Sequence, residues 1–277
     1  MTPAEHSSWI IPAVEAGFKH IPELALTWDK IYSYLFGKSS LIVITGLPGV
    51  GKSVLFEHLT GEAYERGHEP PEQPSMTKDQ GKIVERKKRI TLITIPGQQR
   101  APRFDAMDEL LKKSQPITCL IHVVANGFAK VRSAPAQASL VAQAKLETLA
   151  EYRAFQLQQE TDDLRNTCDF ALRAIREHKK PIWMLVAATK CDLYADTIKA
   201  AEQYYSPYGK NPFTEELIKL QAVAGSSQFS WDSIPVCAEL VDFTWNQETV
   251  PSTLKVSQRD KLVLGLLRRI ESACAAS

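Results

Sequence analysis

Short apolar runs recur along the chain from residue 41 onward, and longer amphipathic stretches separate them. The runs span residues 41–45, 90–95, 117–124, 182–188 and 234–238. Nearly continuous hydrophobicity over five to eight residues is typical of strands that are buried on both faces of a sheet. Because these runs alternate with helical patterns, the sequence predicts an α/β protein with a mostly parallel sheet and helices on both sides.

A further strand is predicted near residues 82–86, where it can form a hairpin with the run at 90–95 across a charged turn. The long stretch between the runs ending at 124 and starting at 182 carries two amphipathic stripes, at 140–149 and 157–175. These stripes predict two helices. The second is interpreted as the crossover helix, and the first as a helical insertion at about residues 127–160 that packs on the core or contacts a partner.

The first 38 residues predict a separate N-terminal helical arm, because their apolar positions recur at helical spacing and Pro12 and Pro22 divide the stretch into short helices. The rest of the chain, residues 39–277, is interpreted as one domain that contains the helical insertion. We expect the arm to pack on this domain. The alternatives are docking of a protein partner or contact with a membrane surface, since Trp and Tyr on an amphipathic stretch suit an interface.

Composition narrows the function classes. The chain has 33 Lys and Arg against 32 Asp and Glu, a formal net charge of +1, which gives no strong signal for nucleic acid. No apolar stretch approaches the ~20 residues that cross a bilayer. The five cysteines are widely spaced, which favours reduced thiols, and the sequence predicts a cytoplasmic protein. His122 is interpreted as a core residue rather than a metal ligand.

The segment GLPGVGKS follows the first apolar run directly and precedes a helical pattern. It matches G-x-x-x-x-G-K-[ST], a loop whose glycines let backbone amides converge on phosphate oxygens at a helix N-terminus. In this loop the lysine reaches the β- and γ-phosphates and the serine hydroxyl binds Mg²⁺. The sequence therefore predicts a nucleotide site, rather than a structural turn, built from Gly46, Pro48, Gly49, Val50, Gly51, Lys52, Ser53 and Val54.

The segment TKCD, which includes Thr189, Lys190 and Asp192, follows the run at 182–188. A carboxylate at this edge of the sheet can accept hydrogen bonds from both N1–H and the exocyclic amine of guanine, and adenine has no such pair of donors. Each charge-assisted bond contributes about 1.5–3 kcal/mol, enough for at least ~10-fold discrimination. The Lys190 side chain can lie along the ring. Four residues alone are a weak signal, so an ATPase or a small-molecule kinase is the alternative.

With these motifs in order, the chain resembles the Ras-like superfamily of P-loop GTPases, in particular the translation-factor-related class that includes the Era-like branch. The resemblance runs from about residue 41 to 238, with a closing helix to about 273. It implies GTP or GDP with Mg²⁺ as cofactors. It also implies a three-layer sandwich around a six-stranded sheet of order 2-3-1-4-5-6 whose second strand is antiparallel. PVCAEL is similar to the last motif of the family, which adds Cys237, Ala238 and Glu239 to the site, with the Ala238 amide facing the guanine carbonyl.

The resemblance also implies the residues of the reaction. A threonine before the second strand closes on Mg²⁺ and the γ-phosphate, and Thr77 is favoured over Ser75 for this position. TIPGQQR stands where the family has Asp-x-x-Gly, so that Gly97 presents its amide to the γ-phosphate and Gln98 orients the attacking water. The predicted catalytic residues are therefore Gln98, Lys52, Thr77 and Gly97, and the predicted metal ligands are Ser53 and Thr77.

One position departs from the family pattern, because Thr94 stands where the family has the aspartate that anchors a water of the Mg²⁺ shell. Three explanations compete: a hydroxyl suffices, another carboxylate such as Asp79 substitutes, or hydrolysis is slow. We expect a slow GTPase that acts as a molecular switch on a protein partner. A GTP-binding scaffold with little turnover is the alternative, and an ATPase is less favoured.

Overall fold

The computed structural model describes residues 40–60, 63, 79–85, 88–97 and 101–276. The predicted N-terminal arm, Thr77 and Gln98 lie outside these residues. Among the described residues, the helices all fall short of the length and apolarity that a bilayer-crossing segment needs.

Six strands form one sheet: β1 (Ser40–Gly46), β2 (Asp79–Glu85), β3 (Lys88–Thr94), β4 (Ile117–Val124), β5 (Ile182–Ala188) and β6 (Phe229–Pro235). Their order across the sheet is β2-β3-β1-β4-β5-β6. Strand β2 runs antiparallel to β3, and the other neighbouring pairs are parallel. The predicted α/β class with a mostly parallel sheet is confirmed.

The helices of the described residues are α1 (Lys52–Thr60), α2 (Ala101–Leu111), α3 (Ala134–Ala142), α4 (Leu149–His178), α5 (Ile198–Tyr205), α6 (Pro212–Ala224) and α7 (Val256–Ala276). A two-stranded hairpin, β7 (Phe243–Trp245) and β8 (Glu248–Val250), precedes α7. The long stretch between β4 and β5 holds two helices, as its stripes predict. Residue 160, the expected end of the insertion, falls inside α4, which begins at a capping box formed by Thr148 and Glu151 and continues without interruption.

Two apolar layers lie against the two faces of the sheet. Strand β1 shows this directly, since Ile42 and Ile44 belong to one buried cluster, and Leu41 and Val43 belong to the other. Successive side chains of a strand point to opposite faces. A strand between two apolar layers therefore has no polar face, which explains the continuous hydrophobicity of β1.

The last strand of the sheet is β6, and the predicted position at 234–238 is wrong. This edge strand alternates, with Phe229 and Trp231 buried and Ser230 exposed between them. Because one of its sides meets no neighbouring strand, β6 lacks the continuous apolar pattern on which the prediction depended. The apolar residues 236–238 instead form a buried loop after the strand. This loop lies at the same edge of the sheet as the GLPGVGKS segment, which follows β1.

His122 lies in β4 with only 1% of its surface exposed, as its interpretation as a core residue requires. Its Nδ1 atom is 3.0 Å from the Thr45 hydroxyl, whereas its Nε2 atom has no hydrogen-bond partner among the described residues. Burial lowers the pKa of His122 from 6.5 to about 4, although nearby Asp163 acts in the opposite direction. His122 is therefore neutral in the folded protein at physiological pH.

This lowered pKa predicts a specific loss of stability in acid. As the pH falls from 6.5 towards 4, His122 of the unfolded chain binds a proton and His122 of the folded chain does not, so the free energy of unfolding decreases. The decrease should reach about 2–3 kcal/mol at pH 4.5. Urea unfolding of the wild type and His122→Gln at pH 7 and pH 4.5 measures it. The wild type should lose that much more stability than the variant, and equal losses would contradict the assignment.

Candidate nucleotide-binding site

The loop between β1 and α1 adopts a backbone that requires glycine. Gly46, Gly49 and Gly51 have φ angles of 134°, 75° and 96°, which side-chain-bearing residues rarely adopt. A Cβ atom on Gly46 would lie 2.3 Å from the carbonyl oxygen of Val123, and one on Gly49 would lie 2.1 Å from the carbonyl oxygen of Lys130. The loop is therefore pressed against the end of β4 and the segment that follows it.

Lys52 begins α1, and its ammonium group lies inside this loop. Its Nζ atom donates hydrogen bonds to the carbonyl oxygens of Gly46, at 2.9 Å, and Leu47, at 2.6 Å. Only 8% of Lys52 is exposed, and Ser53, the next residue, is half-buried. The helix N-terminus adds partial positive charge and free amide groups at the same place. The loop therefore has the charge and the amide donors that a polyphosphate requires.

Gly97 follows β3 and lies directly against the loop. A Cβ atom at this position would come within 2.5 Å of both Lys52 Nζ and the backbone nitrogen of Pro48. The structure therefore brings Gly97 together with Lys52, as the sequence predicts for two groups that contact the same phosphate.

Residues 189–192, the TKCD segment, form the candidate base-reading motif, and residues 46–53 form the phosphate loop. Thr189 and Lys190 connect the two. The Thr189 hydroxyl group is 2.6 Å from the Val50 carbonyl oxygen, and Lys190 Nζ donates to the carbonyl oxygen of Phe128 at 2.6 Å. Burial and the neighbouring cation Lys130 lower the pKa of Lys190 from 10.5 to about 8. Lys190 therefore stays mostly charged at neutral pH, with its side chain held beside the loop.

Asp192 presents a fixed carboxylate at the other end of the site. The residue is 1% exposed, and its Oδ2 atom accepts a hydrogen bond from the Val241 amide at 3.3 Å. Its Oδ1 atom lies 3.4 Å from the Cys237 thiol, whose single proton is shared between this oxygen and the Glu239 carbonyl oxygen at 3.1 Å. Burial, followed by the charge of Asp192, raises the pKa of this thiol, so Cys237 stays protonated and acts as the donor.

The motifs to which these residues belong line one pocket of about 460 Å³. Its predicted members come from the phosphate loop and α1, from the base-reading motif and from the last motif: Gly49, Gly51, Val54, Thr189, Lys190, Asp192, Ala238 and Glu239. All of these segments follow the carboxyl ends of parallel strands, where open α/β sheets bind their ligands. The structure therefore brings the separate motifs together, and their individual roles remain predictions.

Sequence reasoning missed several residues of this pocket, above all Lys130 and Arg132. They belong to the segment after β4, residues 125–133, which we call the β4 loop. Its backbone is fixed to the phosphate loop, because the Lys130 amide donates to the Gly49 carbonyl oxygen at 3.0 Å. Two basic residues just beyond a buried strand, at the ligand-binding edge, were the available signal. Phe243 of the β7–β8 hairpin, with its ring centroid 5.5 Å from Lys190 Nζ, also lines the pocket and carried no motif.

Thr94 ends β3 and is 3% exposed, and its hydroxyl oxygen has no hydrogen-bond partner among the described residues. The strand register pairs Thr94 with Asp79, the first residue of β2. Asp79, the carboxylate considered as a substitute for the aspartate of the family, thus lies opposite Thr94 in the backbone register.

Magnesium would depend on few protein ligands here. Within residues 40–60, 79–85, 88–97 and 101–276, no group of three or more His, Cys, Asp and Glu residues could hold a metal ion. Mg²⁺ does not require such a group, because it usually binds through one or two protein oxygens together with substrate phosphates and water. Ser53, at the first turn of α1, fits such a ligand.

The fold and pocket define a P-loop nucleotide-binding protein of the α/β class. Residues 41–188, more than half of the chain, match the family model described as 50S ribosome-binding GTPase. The chain therefore belongs to this family of GTP-binding GTPase domains.

Several solved structures match the chain at low sequence identity. The mammalian SRP receptor is 18% identical, with 72% of this chain and 91% of that chain covered and a TM-score of 0.41. Toc33 from Arabidopsis thaliana, in complex with Mg²⁺ and GMPPNP, is 14% identical, with 94% of this chain and 96% of that chain covered and a TM-score of 0.45. The small COPII coat GTPase SAR1 from Encephalitozoon cuniculi, in complex with GDP, is 13% identical, with 92% of this chain and 87% of that chain covered and a TM-score of 0.41. No curated protein matches significantly. The family assignment therefore depends on the match over residues 41–188.

Proposed function

We propose that this protein hydrolyses GTP slowly to GDP and phosphate and acts as a molecular switch. The observation that carries the proposal is the buried Asp192 carboxylate, fixed by two donors, in the same pocket as the glycine loop. One end of this pocket suits a polyphosphate and the other suits guanine.

The base is read by Asp192. Its two oxygens would accept from N1–H and from the exocyclic amine of guanine, and their existing bonds to Cys237 and Val241 hold the carboxylate in place. A prearranged acceptor loses little freedom when it binds, which favours selectivity. Lys190, held at the Phe128 carbonyl, would lie along the purine ring, and the Ala238 amide would face the guanine carbonyl.

The phosphate end would act through charge and position, because phosphoryl transfer requires little covalent chemistry from the protein. The amides of the loop and Lys52 would bind the β- and γ-phosphates, and Gly97 would present its amide to the γ-phosphate. Gln98 would orient the attacking water. Ser53 and Thr77 would hold Mg²⁺, which neutralises charge on the phosphate oxygens when it is bound.

The slow rate is proposed from Thr94. This buried hydroxyl supplies neither the charge nor the second oxygen of the aspartate that the family has at this position. Asp79, its partner in the strand register, is the candidate substitute. A scaffold that binds GTP with little turnover is the second candidate function, and Thr94 is the observation that favours it.

We place the chain in the translation-factor-related class, near the Era-like branch, and in the cytoplasm. A protein partner would bind the N-terminal arm or the helical insertion, whose helix α3 has no buried residue.

A single-turnover assay separates the switch from the scaffold. Wild-type protein with Mg²⁺ and GTP should release phosphate, and Gln98→Leu should bind GTP normally but release phosphate at least ~10-fold more slowly, because the attacking water is no longer oriented. Radiolabelled phosphate release measures both rates. Tight GTP binding by the wild type without phosphate release would support the scaffold, and an unchanged rate in the variant would exclude the proposed role of Gln98.

A further inference from the structure

A buried ion pair ties Gly97 to helix α4. Arg103, in the first turn of α2, donates from Nη1 to the Gly97 carbonyl oxygen at 3.3 Å. The same Nη1 atom donates to Oδ1 of Asp163, which lies in the middle of α4. Both side chains of the pair are 0% exposed. One guanidinium group thus connects the segment after β3 with a helix on the face of the sheet.

Stability alone does not account for this pair. Two buried charges lose their hydration, and well-packed apolar side chains of similar size often stabilise a protein as much or more. The pair is also incompletely bonded, since Nε and Nη2 of Arg103 and Oδ2 of Asp163 have no hydrogen-bond partner among the described residues. What the pair does supply is a charged donor with a fixed direction, aimed at the carbonyl of Gly97.

The Gly97 carbonyl matters because of what surrounds it. Residue 97 lies against Lys52 and Pro48 so closely that a Cβ atom would not fit. The Gly97 carbonyl carbon and the Gly97 amide nitrogen are bonded to the same Cα atom, so a hydrogen bond to the carbonyl oxygen limits how far the amide can move. Arg103 therefore restrains the backbone on which the amide of Gly97 is carried.

Helix α4 holds the other end of the pocket as well. Glu160, one turn before Asp163, is 1% exposed, and its Oε1 atom accepts from the amides of Ala125, at 2.9 Å, and Gly127, at 3.1 Å. These two amides begin the β4 loop, which contacts Lys190 and the phosphate loop. Two buried carboxylates on one face of α4 thus hold both the Gly97 segment and the β4 loop.

We propose that Arg103, held by Asp163, is a positioning residue for the γ-phosphate: it keeps Gly97 where its amide binds a triphosphate, and so favours GTP over GDP. This inference rests on the proposed function, because it requires guanine nucleotides in the pocket. GDP has no γ-phosphate, so its affinity should not depend on the pair.

The test replaces both members of the pair, in Arg103→Met with Asp163→Leu. The double change leaves no unpaired buried charge, so the protein should fold. Calorimetry with GDP and with the non-hydrolysable GTP analogue GMPPNP, each with Mg²⁺, should show a Kd for GDP within about twofold of wild type. The Kd for GMPPNP should rise about three- to tenfold, less than the ~10-fold or more of a lost hydrogen bond to a charged group, because the Gly97 amide is displaced and not removed.

A matched control is present on the same two helices. Arg173 of α4 and Asp108 of α2 form an exposed ion pair at 2.7 Å. Arg173→Gln with Asp108→Asn also removes a connection between α2 and α4, but it leaves Gly97 untouched, so both affinities should stay at wild-type values. Arg103→Lys serves as a second variant, since it keeps the charge but loses the planar fork. It should weaken GMPPNP binding selectively and by less.

Wild-type affinities for both nucleotides in both Arg103 variants would overturn the inference. So would an equal loss of affinity for both nucleotides, which would indicate a purely structural pair. If the wild type binds neither nucleotide, the proposed function fails, and this outcome is distinct because it requires no variant.

Discussion

Replacing Gly49 with alanine is expected to weaken GDP binding by at least ~100-fold, the equivalent of two lost charge-assisted hydrogen bonds. The new Cβ atom would lie 2.1 Å from the carbonyl oxygen and 2.7 Å from the nitrogen of Lys130, and both are backbone atoms that cannot rotate away. The phosphate loop must therefore move from the β4 loop. Its amides then no longer converge on the phosphates. Calorimetric titration with GDP measures the loss.

The backbone angle contributes separately, because alanine at a φ of 75° is strained by about 1–3 kcal/mol. Gly225 provides the matched control, since it has a φ of 89° and a Cβ atom there would meet nothing within 4 Å beyond its own chain neighbours. Gly225→Ala should lower the melting temperature and leave GDP binding unchanged. GDP binding by Gly49→Ala at wild-type affinity would contradict the role of the loop.

Replacing Asp192 with asparagine is expected to change the base that the protein prefers. An asparagine amide has one acceptor and one donor, whereas the exocyclic amine of guanine requires a second acceptor. The Kd for GDP should therefore rise at least ~10-fold. Xanthine carries a carbonyl in place of that amine, and the new donor can bind it, so XDP should bind the variant more tightly than GDP. The amide also leaves one of the donors Cys237 and Val241 without its acceptor, so some loss of stability is expected.

Asp242 supplies the control for this change. It lines the same pocket, but it is exposed and its Oδ1 atom accepts from the Ser252 amide at 2.8 Å. Asp242→Asn should keep the preference for GDP over XDP. Titration of both variants with GDP and with XDP measures the change in base preference. A preference for GDP that persists in Asp192→Asn would exclude Asp192 as the base-reading residue.

The central strands could be predicted from the sequence within one or two residues. The apolar runs at 117–124 and 182–188 coincide with β4 and β5, because these strands are covered on both faces and flanked on both sides. The edge strands could not be placed as well. The apolar pattern places β6 at its last residues and the following loop, since the partly exposed positions of the strand interrupt that pattern.

The motif residues of the site could also be found in the sequence, because each motif is a short contiguous segment after a strand. Their meeting follows from the parallel sheet, which brings the Thr189 hydroxyl to the Val50 carbonyl across 139 positions of sequence. The contact of Arg103 with Asp163 spans 60 positions and has no local pattern. Lys130 and Arg132 were missed for the same reason: two basic residues resemble any solvent-exposed turn until the fold places them beside the pocket.

The central claim is that the pocket accepts a guanine nucleotide and that its base end discriminates against adenine. Calorimetric titration of the wild-type protein with GDP and with ADP, in the presence of Mg²⁺, tests it most directly. We predict a Kd for GDP at least ~10-fold lower than that for ADP. Equal affinity for the two nucleotides, or tighter binding of ADP, would contradict the claim.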